Sequence, residues 1–168
     1  VAEDVWVFAA FANVFALETA DSVVLVDTGL VATGKQLLPV LQKWCDKPVS
    51  TIILTHGHAD HIGGLKNMSL GDEVMVIGQD NIVKRIERYE MTQGWNAKIN
   101  QIQFGLAEPI FASSWIRPTH TFHEQQTLQV GDTTLELYAA KGETADMCYA
   151  WVPEKRYLFC GDLFEWTM

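Results

Sequence analysis

The run His56-Gly57-His58-Ala59-Asp60-His61 puts three imidazoles and a carboxylate within six residues. Imidazole suits zinc, copper, iron and nickel, and carboxylate adds a hard oxygen ligand. His56 and His58 stand two apart on an extended segment, so both side chains can converge on one ion. Asp60 and His61, adjacent at a turn, can reach a second. Gly57 and the pair Gly63-Gly64 are expected to let the backbone take the tight path this requires. A polar surface loop with accidental histidines is the alternative, and the spacing argues against it. His120 and His123 flank Thr121-Phe122 without an evident partner acid, and read as solvated or hydrogen-bonded. Cys45, Cys148 and Cys160 are odd in number and widely spaced, so no disulfide framework is expected. They read as reduced thiols in or near the core. Cys160, two residues from Asp162, is the one that stands near candidate chemistry.

These residues need a scaffold to hold them. Val5 to Ala16 is apolar, Thr19-Ala20-Asp21-Ser22 is a turn signal, and Val23 to Val26 is a buried strand. Two or three antiparallel strands are expected there, ending in a tight turn at Asp27-Thr28-Gly29. Leu37, Leu38, Leu41 and Trp44 share one helical face, with Pro39 expected to delay or bend the helix. Val49 to Leu54 is a strand, and Thr55 opens the histidine run. Val74 to Ile77 is a short strand. Ile82, Val83, Ile86 and Tyr89 repeat at helical spacing, with Asp80 as the expected cap. Met91 to Arg117 reads either as a lid or binding loop or as a poorly patterned helix. Thr127 to Val130 and Thr133 to Ala139 form a hairpin about Gly131-Asp132. Met147 to Val152 and Arg156 to Cys160 form a second about Pro153-Glu154. This order favours one α/β or α+β domain over residues 1–168, a sandwich with helices outside.

Bulk properties exclude some functions. The 168 residues suffice for one domain. A net charge of −9, from 12 basic and 21 acidic residues, leaves no basic patch for nucleic acid. No apolar run reaches the ~20 residues of a membrane helix. Val1 is not an initiator Met and no signal peptide is visible. A soluble, cytoplasmic protein is the expectation, with a leader before Val1 left open.

His-x-His-x-Asp-His after an apolar strand resembles the signature of the metallo-β-lactamase superfamily. Asp27-Thr28-Gly29 resembles that family's early strand-end aspartate turn. Leu158-Phe159-Cys160-Gly161-Asp162 resembles its later strand ending in a metal-bridging aspartate. The resemblance covers nearly the whole chain and implies a four-layer αβ/βα sandwich with metals at one sheet edge. The family usually carries a further metal-binding histidine some twenty residues before the bridging aspartate. Here that stretch is Lys141-Gly142-Glu143-Thr144-Ala145-Asp146-Met147. It looks like a branch related to the alkylsulfatases, in which a glutamate takes that place, and the role is carried onto Glu143. Zinc accepts Glu oxygen. Asp146 is the competing candidate.

The resemblance implies two divalent ions, zinc first, with iron or manganese as alternatives. His56, His58 and Glu143 are expected on one, Asp60 and His61 on the other, with Asp162 between them. The implied function is hydrolysis of a small-molecule ester: sulfate ester, carboxylic ester, lactone or thioester. Water activated between the metals would attack, with Asp60 orienting it. Two other classes remain: a di-iron oxygen or nitric oxide reductase-like domain, and a non-catalytic metal-stabilised scaffold. The family fold normally continues past the bridging aspartate and adds a final metal-binding histidine. The chain is therefore expected to be incomplete at its C-terminus, or completed by a partner chain or homo-oligomer. Leu163, Phe164 and Trp166 are expected at that interface.

Overall fold

A computed structural model describes residues 2–164. The chain opens as an antiparallel meander of β1 (Val5–Phe8), β2 (Val14–Glu18) and β3 (Val23–Val26), pairing Val5 with Leu17 and Phe15 with Val26. Helix α1 (Val31–Leu41) then returns the chain to β4 (Val49–Leu54), which pairs parallel to β3. A single turn of helix, α2 (Ala59–Ile62), runs into a 3-10 segment at Gly63–Asn67. Next come β5 (Met75–Gln79), α3 (Asn81–Met91), α4 (Gln93–Phe104) and β6 (His120–Phe122). These strands make a six-stranded sheet in sequence order, parallel from β3 onward. The second sheet has four antiparallel strands: β7 (Gln125–Val130), β8 (Thr133–Ala139), β9 (Cys148–Val152) and β10 (Tyr157–Phe159).

Side-chain alternation decides the layering. On β3, Val23 and Leu25 face the helices, where they meet Leu37, Leu41, Ile82 and Ile86. Val24 and Val26 face the other way, onto Leu135, Leu137, Ala150 and Val152 of the second sheet. A strand buried on both faces reads as an unbroken apolar run because no position is free to be polar. The described layers are therefore helix, sheet and sheet. Among the described residues nothing covers the outer face of the second sheet, which carries Glu136, Tyr138, Tyr149, Trp151 and Leu158. Three of the four layers expected from the sequence are thus accounted for. The two expected hairpins are present, with Val130 opposite Thr133 and Val152 opposite Tyr157.

Several local expectations need correction. Helix α1 begins at Val31 and runs through Pro39. The missing N–H falls in the last turn, where it removes one bond rather than splitting a long helix. Asp80 does not cap α3 with its side chain. Gln79 Oε1 accepts the Asn81 N–H at 2.7 Å instead, and Asp80 faces His123. Met91 to Arg117 divides between the two readings: α4 occupies its first half and irregular chain the rest. Trp95, Ile99 and Ile102 are exposed on α4 and only Ala97 is buried, which is why the helical pattern pointed to no core.

The glycines after the histidine run are required by space, not by backbone freedom. None of Gly57, Gly63 and Gly64 has a left-handed φ. A β-carbon on Gly64 would stand 1.9 Å from the Thr28 carbonyl oxygen, and one on Gly34 2.0 Å from that of Gly64. This contact seats α1 on the segment that carries the site. Gly64→Ala is expected to cost about 1–3 kcal/mol through overpacking. A urea midpoint unchanged from the parent would show that the backbone yields freely.

Candidate metal centre

The site forms where the C-terminal ends of β3 and β4 meet the edge of the second sheet. His56 and His61 are buried, with side chains 0% and 3% exposed, whereas His58, Asp60, Glu143 and Asp162 are partly open. Ligand atoms of His56, His58, Glu143 and Asp162 all lie within 4.8 Å of one another. Glu143 Oε1 is 3.1 Å from His56 Nε2 and 2.8 Å from His58 Nδ1. Asp162 reaches both halves, its Oδ2 standing 3.9 Å from His56 Nε2 and its Oδ1 3.3 Å from His61 Nε2. Asp60 Oδ2 is 3.7 Å from His61 Nε2. All six residues singled out from the sequence therefore meet in one cluster.

Behind the cluster stands Asp27. Its Oδ1 accepts the Thr55 N–H at 2.8 Å, and its Oδ2 accepts the Thr55 hydroxyl at 2.7 Å and His61 Nδ1 at 2.7 Å. Asp27 holds a left-handed φ of 64°, a conformation a short polar side chain tolerates. Thr55 Oγ1, having donated to Asp27, is free to accept from His56 Nδ1 at 3.2 Å. Both buried rings are thereby held by Nδ1, which leaves Nε2 of each facing the cluster. Sequence reading located the Asp27 turn but not its bond to His61; an aspartate closing a buried strand ahead of Thr-Gly was the available signal.

Electrostatics follow from this geometry. Burial, with His61 close by, pushes the His56 imidazole down to about 4, so it is neutral at pH 7 with a lone pair on Nε2. Burial also works against charge on His61, but Asp27 and Asp162 outweigh it and raise that group to about 11. His61, whose Nε2 lies 3.3 Å from its Oδ1, holds Asp162 below its ordinary value, against burial.

Whether these residues suit a cation can be tested on two atoms. Nε2 of His56 and of His61 are buried and lack an aligned hydrogen-bond partner, despite carboxylate oxygens at 3.1 and 3.3 Å. An unsatisfied buried polar atom costs about 1–3 kcal/mol. Two such nitrogens, aimed into a space walled by carboxylates, fit a divalent cation, which would take the place of the proton that His61 Nε2 holds in the metal-free protein.

Asp146, the competing carboxylate, points elsewhere: its Oδ2 accepts the Gly57 N–H at 2.6 Å and its Oδ1 faces Arg85. His120 and His123 stand apart and exposed, against Thr119 and Asp80. All three cysteines are free; Cys45 and Cys148 are buried, and Cys160 lines the cleft. That cleft, of about 650 Å³, is walled by Phe11, Phe15, Asp60, His61, Leu158 and Asp162. Phe164 is exposed and Leu163 partly so; Trp166 lies outside the described residues.

The sequence pattern of the metallo-beta-lactamase superfamily matches residues 8–165. The chain belongs to that superfamily. It is similar to the beta-lactamase-like protein 2 homolog of Caenorhabditis elegans, at 28% identity over 89% of this chain and 43% of that protein. It is also similar to the linear primary-alkylsulfatase of a Pseudomonas species, at 23% identity over 89% of this chain and 33% of that one. The inverting sec-alkylsulfatase Pisa1 of Pseudomonas superposes with a TM-score of 0.77 at 18% identity, covering 92% of this chain and 29% of the other. That likeness carries the fold. The homologues are hydrolases, a lactamase and a hydroxyacylglutathione hydrolase among them. The chain spans about a third to a half of the curated relatives named here. No helix among the described residues is long and apolar enough to cross a membrane.

Proposed function

We propose that this member of the metallo-beta-lactamase superfamily is a two-metal hydrolase of ester-type bonds in small molecules. One observation carries the reading: six side chains from three chain segments converge with two buried imidazole nitrogens unpartnered and aimed at a common space. His56, His58 and Glu143 hold one ion, Asp60 and His61 the other, and Asp162 stands between them. Zinc is the metal we favour, since neutral imidazole and carboxylate oxygen are its ordinary ligands. Bound there, the ions supply Lewis acidity and lower the pKa of water.

The protein's own groups do the rest. Asp27 fixes the ring planes of His61 directly and of His56 through Thr55. Asp60, partly open to the cleft, is placed to accept a hydrogen bond from the attacking water and orient it. Phe11, Phe15 and Leu158 wall the cleft with apolar surface that limits solvent access. The relatives' names span a sulfatase, lactamases and a hydroxyacylglutathione hydrolase, so the proposal extends to sulfate esters, carboxylic esters, lactones and thioesters. It also includes a segment beyond residue 168 that lies over the outer face of the second sheet and brings a histidine to the second ion. The uncovered aromatic face and the greater length of the relatives support that part.

The test pairs a panel of chromogenic esters with metal analysis. Turnover that is lost on chelation and restored by zinc is the expected outcome. Two bound zinc ions with no turnover on any of the four classes would leave only a structural metal site.

A further inference from the structure

The geometry points to Asp146 as a positioning residue that locks the two halves of the metal centre in register. The inference rests on the metal-site reading above. Glu143 comes from the loop before β9, whereas His56 and His58 follow β4, so the site spans two sheets. Three bonds stitch that seam. Cys148 N–H donates to the Thr55 carbonyl at 2.8 Å, and Cys148 Sγ to the Leu54 carbonyl at 3.3 Å. Asp146 Oδ2 accepts the Gly57 N–H at 2.6 Å.

The third bond is the one that acts on the ligands. It holds the peptide between His56 and Gly57, and so sets how the flanking imidazoles are presented; their ring centroids are 4.6 Å apart at 70°. The same carboxylate sits three residues from Glu143, whose Oε1 touches both rings. Asp146 is itself fixed. It is buried at 2% exposure, and its Oδ1 faces Arg85 Nε at 3.8 Å. Arg85 in turn lies 5.9 Å from the Tyr89 ring on α3. On the same helix, Asn81 Nδ2 donates to the Ala145 carbonyl at 3.1 Å. Helix α3 thus clamps the loop that carries Glu143.

Gly57 completes the clamp. A β-carbon there would stand 2.7 Å from Arg85 Cγ and 2.8 Å from Asp146 Oδ2. Its φ is not left-handed, so alanine is allowed by conformation and excluded by these two side chains.

Cobalt(II) titration of the full chain tests this, because the ligand-field spectrum reports the coordination geometry without any turnover. Asp146→Ala is expected to weaken cobalt binding about tenfold and to shift the visible bands, the loss typical of an outer partner of a ligand. Asp146→Asn keeps an oxygen that accepts the Gly57 N–H and is expected to restore the parent spectrum. Gly57→Ala, which pushes the acceptor away, is expected to shift the bands as Asp146→Ala does. It carries the test should Asp146→Ala fail to fold. A parent protein that binds no cobalt takes the metal-site reading down with this one. A parent that binds, beside folded Asp146→Ala or Gly57→Ala proteins of unchanged affinity and spectrum, overturns this inference alone.

Discussion

Asp27→Ala is expected to destabilise the metal-free protein by about 3–5 kcal/mol, the cost of removing one partner of a buried ion pair. Asp27 accepts three hydrogen bonds at 2.7–2.8 Å in the interior, from Thr55 N, Thr55 Oγ1 and His61 Nδ1. Alanine leaves all three donors without a partner and must hold a left-handed φ that suits it poorly. Asp27→Asn keeps the shape and tolerates the φ but removes the charge, so it separates the ion pair from the packing. The pH dependence has a definite sign. The folded protein raises His61 from 6.5 to about 11. The pairing therefore stabilises fully below about pH 6.5 and is lost as pH climbs toward 11. Urea titrations of chelated protein at pH 6 and pH 10 should show the penalty of Asp27→Asn shrinking at the higher pH. A penalty that grows with pH would mean His61 is not held as a cation.

Glu143→Ala is expected to empty the first metal position and cut turnover by about a hundredfold, the scale of losing a metal-site contact. The reason is geometric: Glu143 Oε1 is the carboxylate oxygen nearest both His56 Nε2 and His58 Nδ1, at 3.1 and 2.8 Å. Its side chain is 39% exposed, so its removal disturbs no core packing and the fold should survive. Glu143→Gln retains an oxygen without the charge and should fall between. Metal content by atomic emission, with a thermal melt to show folding, checks it. Asp146→Ala should lose less than Glu143→Ala. Equal losses would mean that the two carboxylates act as one unit.

The reactive hexapeptide declares itself because ligand type and spacing are chemical facts that survive without coordinates. The layers were readable for the same kind of reason: Val23 to Val26 is apolar throughout only if both faces are covered. Other features were not. Glu143 and Asp146 lie three residues apart in an irregular loop, and nothing in their order says which turns to the imidazoles and which to the Gly57 N–H. Asp80 has the right type and place for a cap, yet Gln79 beside it takes the bond. Gly63 and Gly64 look like conformational freedom and prove to be clearance, since steric closeness between distant segments leaves no local trace. Helix α4 hides because its apolar residues point outward, which breaks the link between periodicity and burial.

The assembly of the centre from four separated segments also orders its folding. Asp27, the His56–His61 run, Glu143 and Asp162 meet only after both sheets dock, and contacts so distant along the chain close slowly. An unfolded chain keeps the hexapeptide as a weak local chelator but has none of the remaining carboxylates in place. Metal bound there stabilises the denatured ensemble as well as the native one and trims the gain from ligation. The carboxylate-bearing loops are thus what turns a sticky peptide into a site that rewards the folded state.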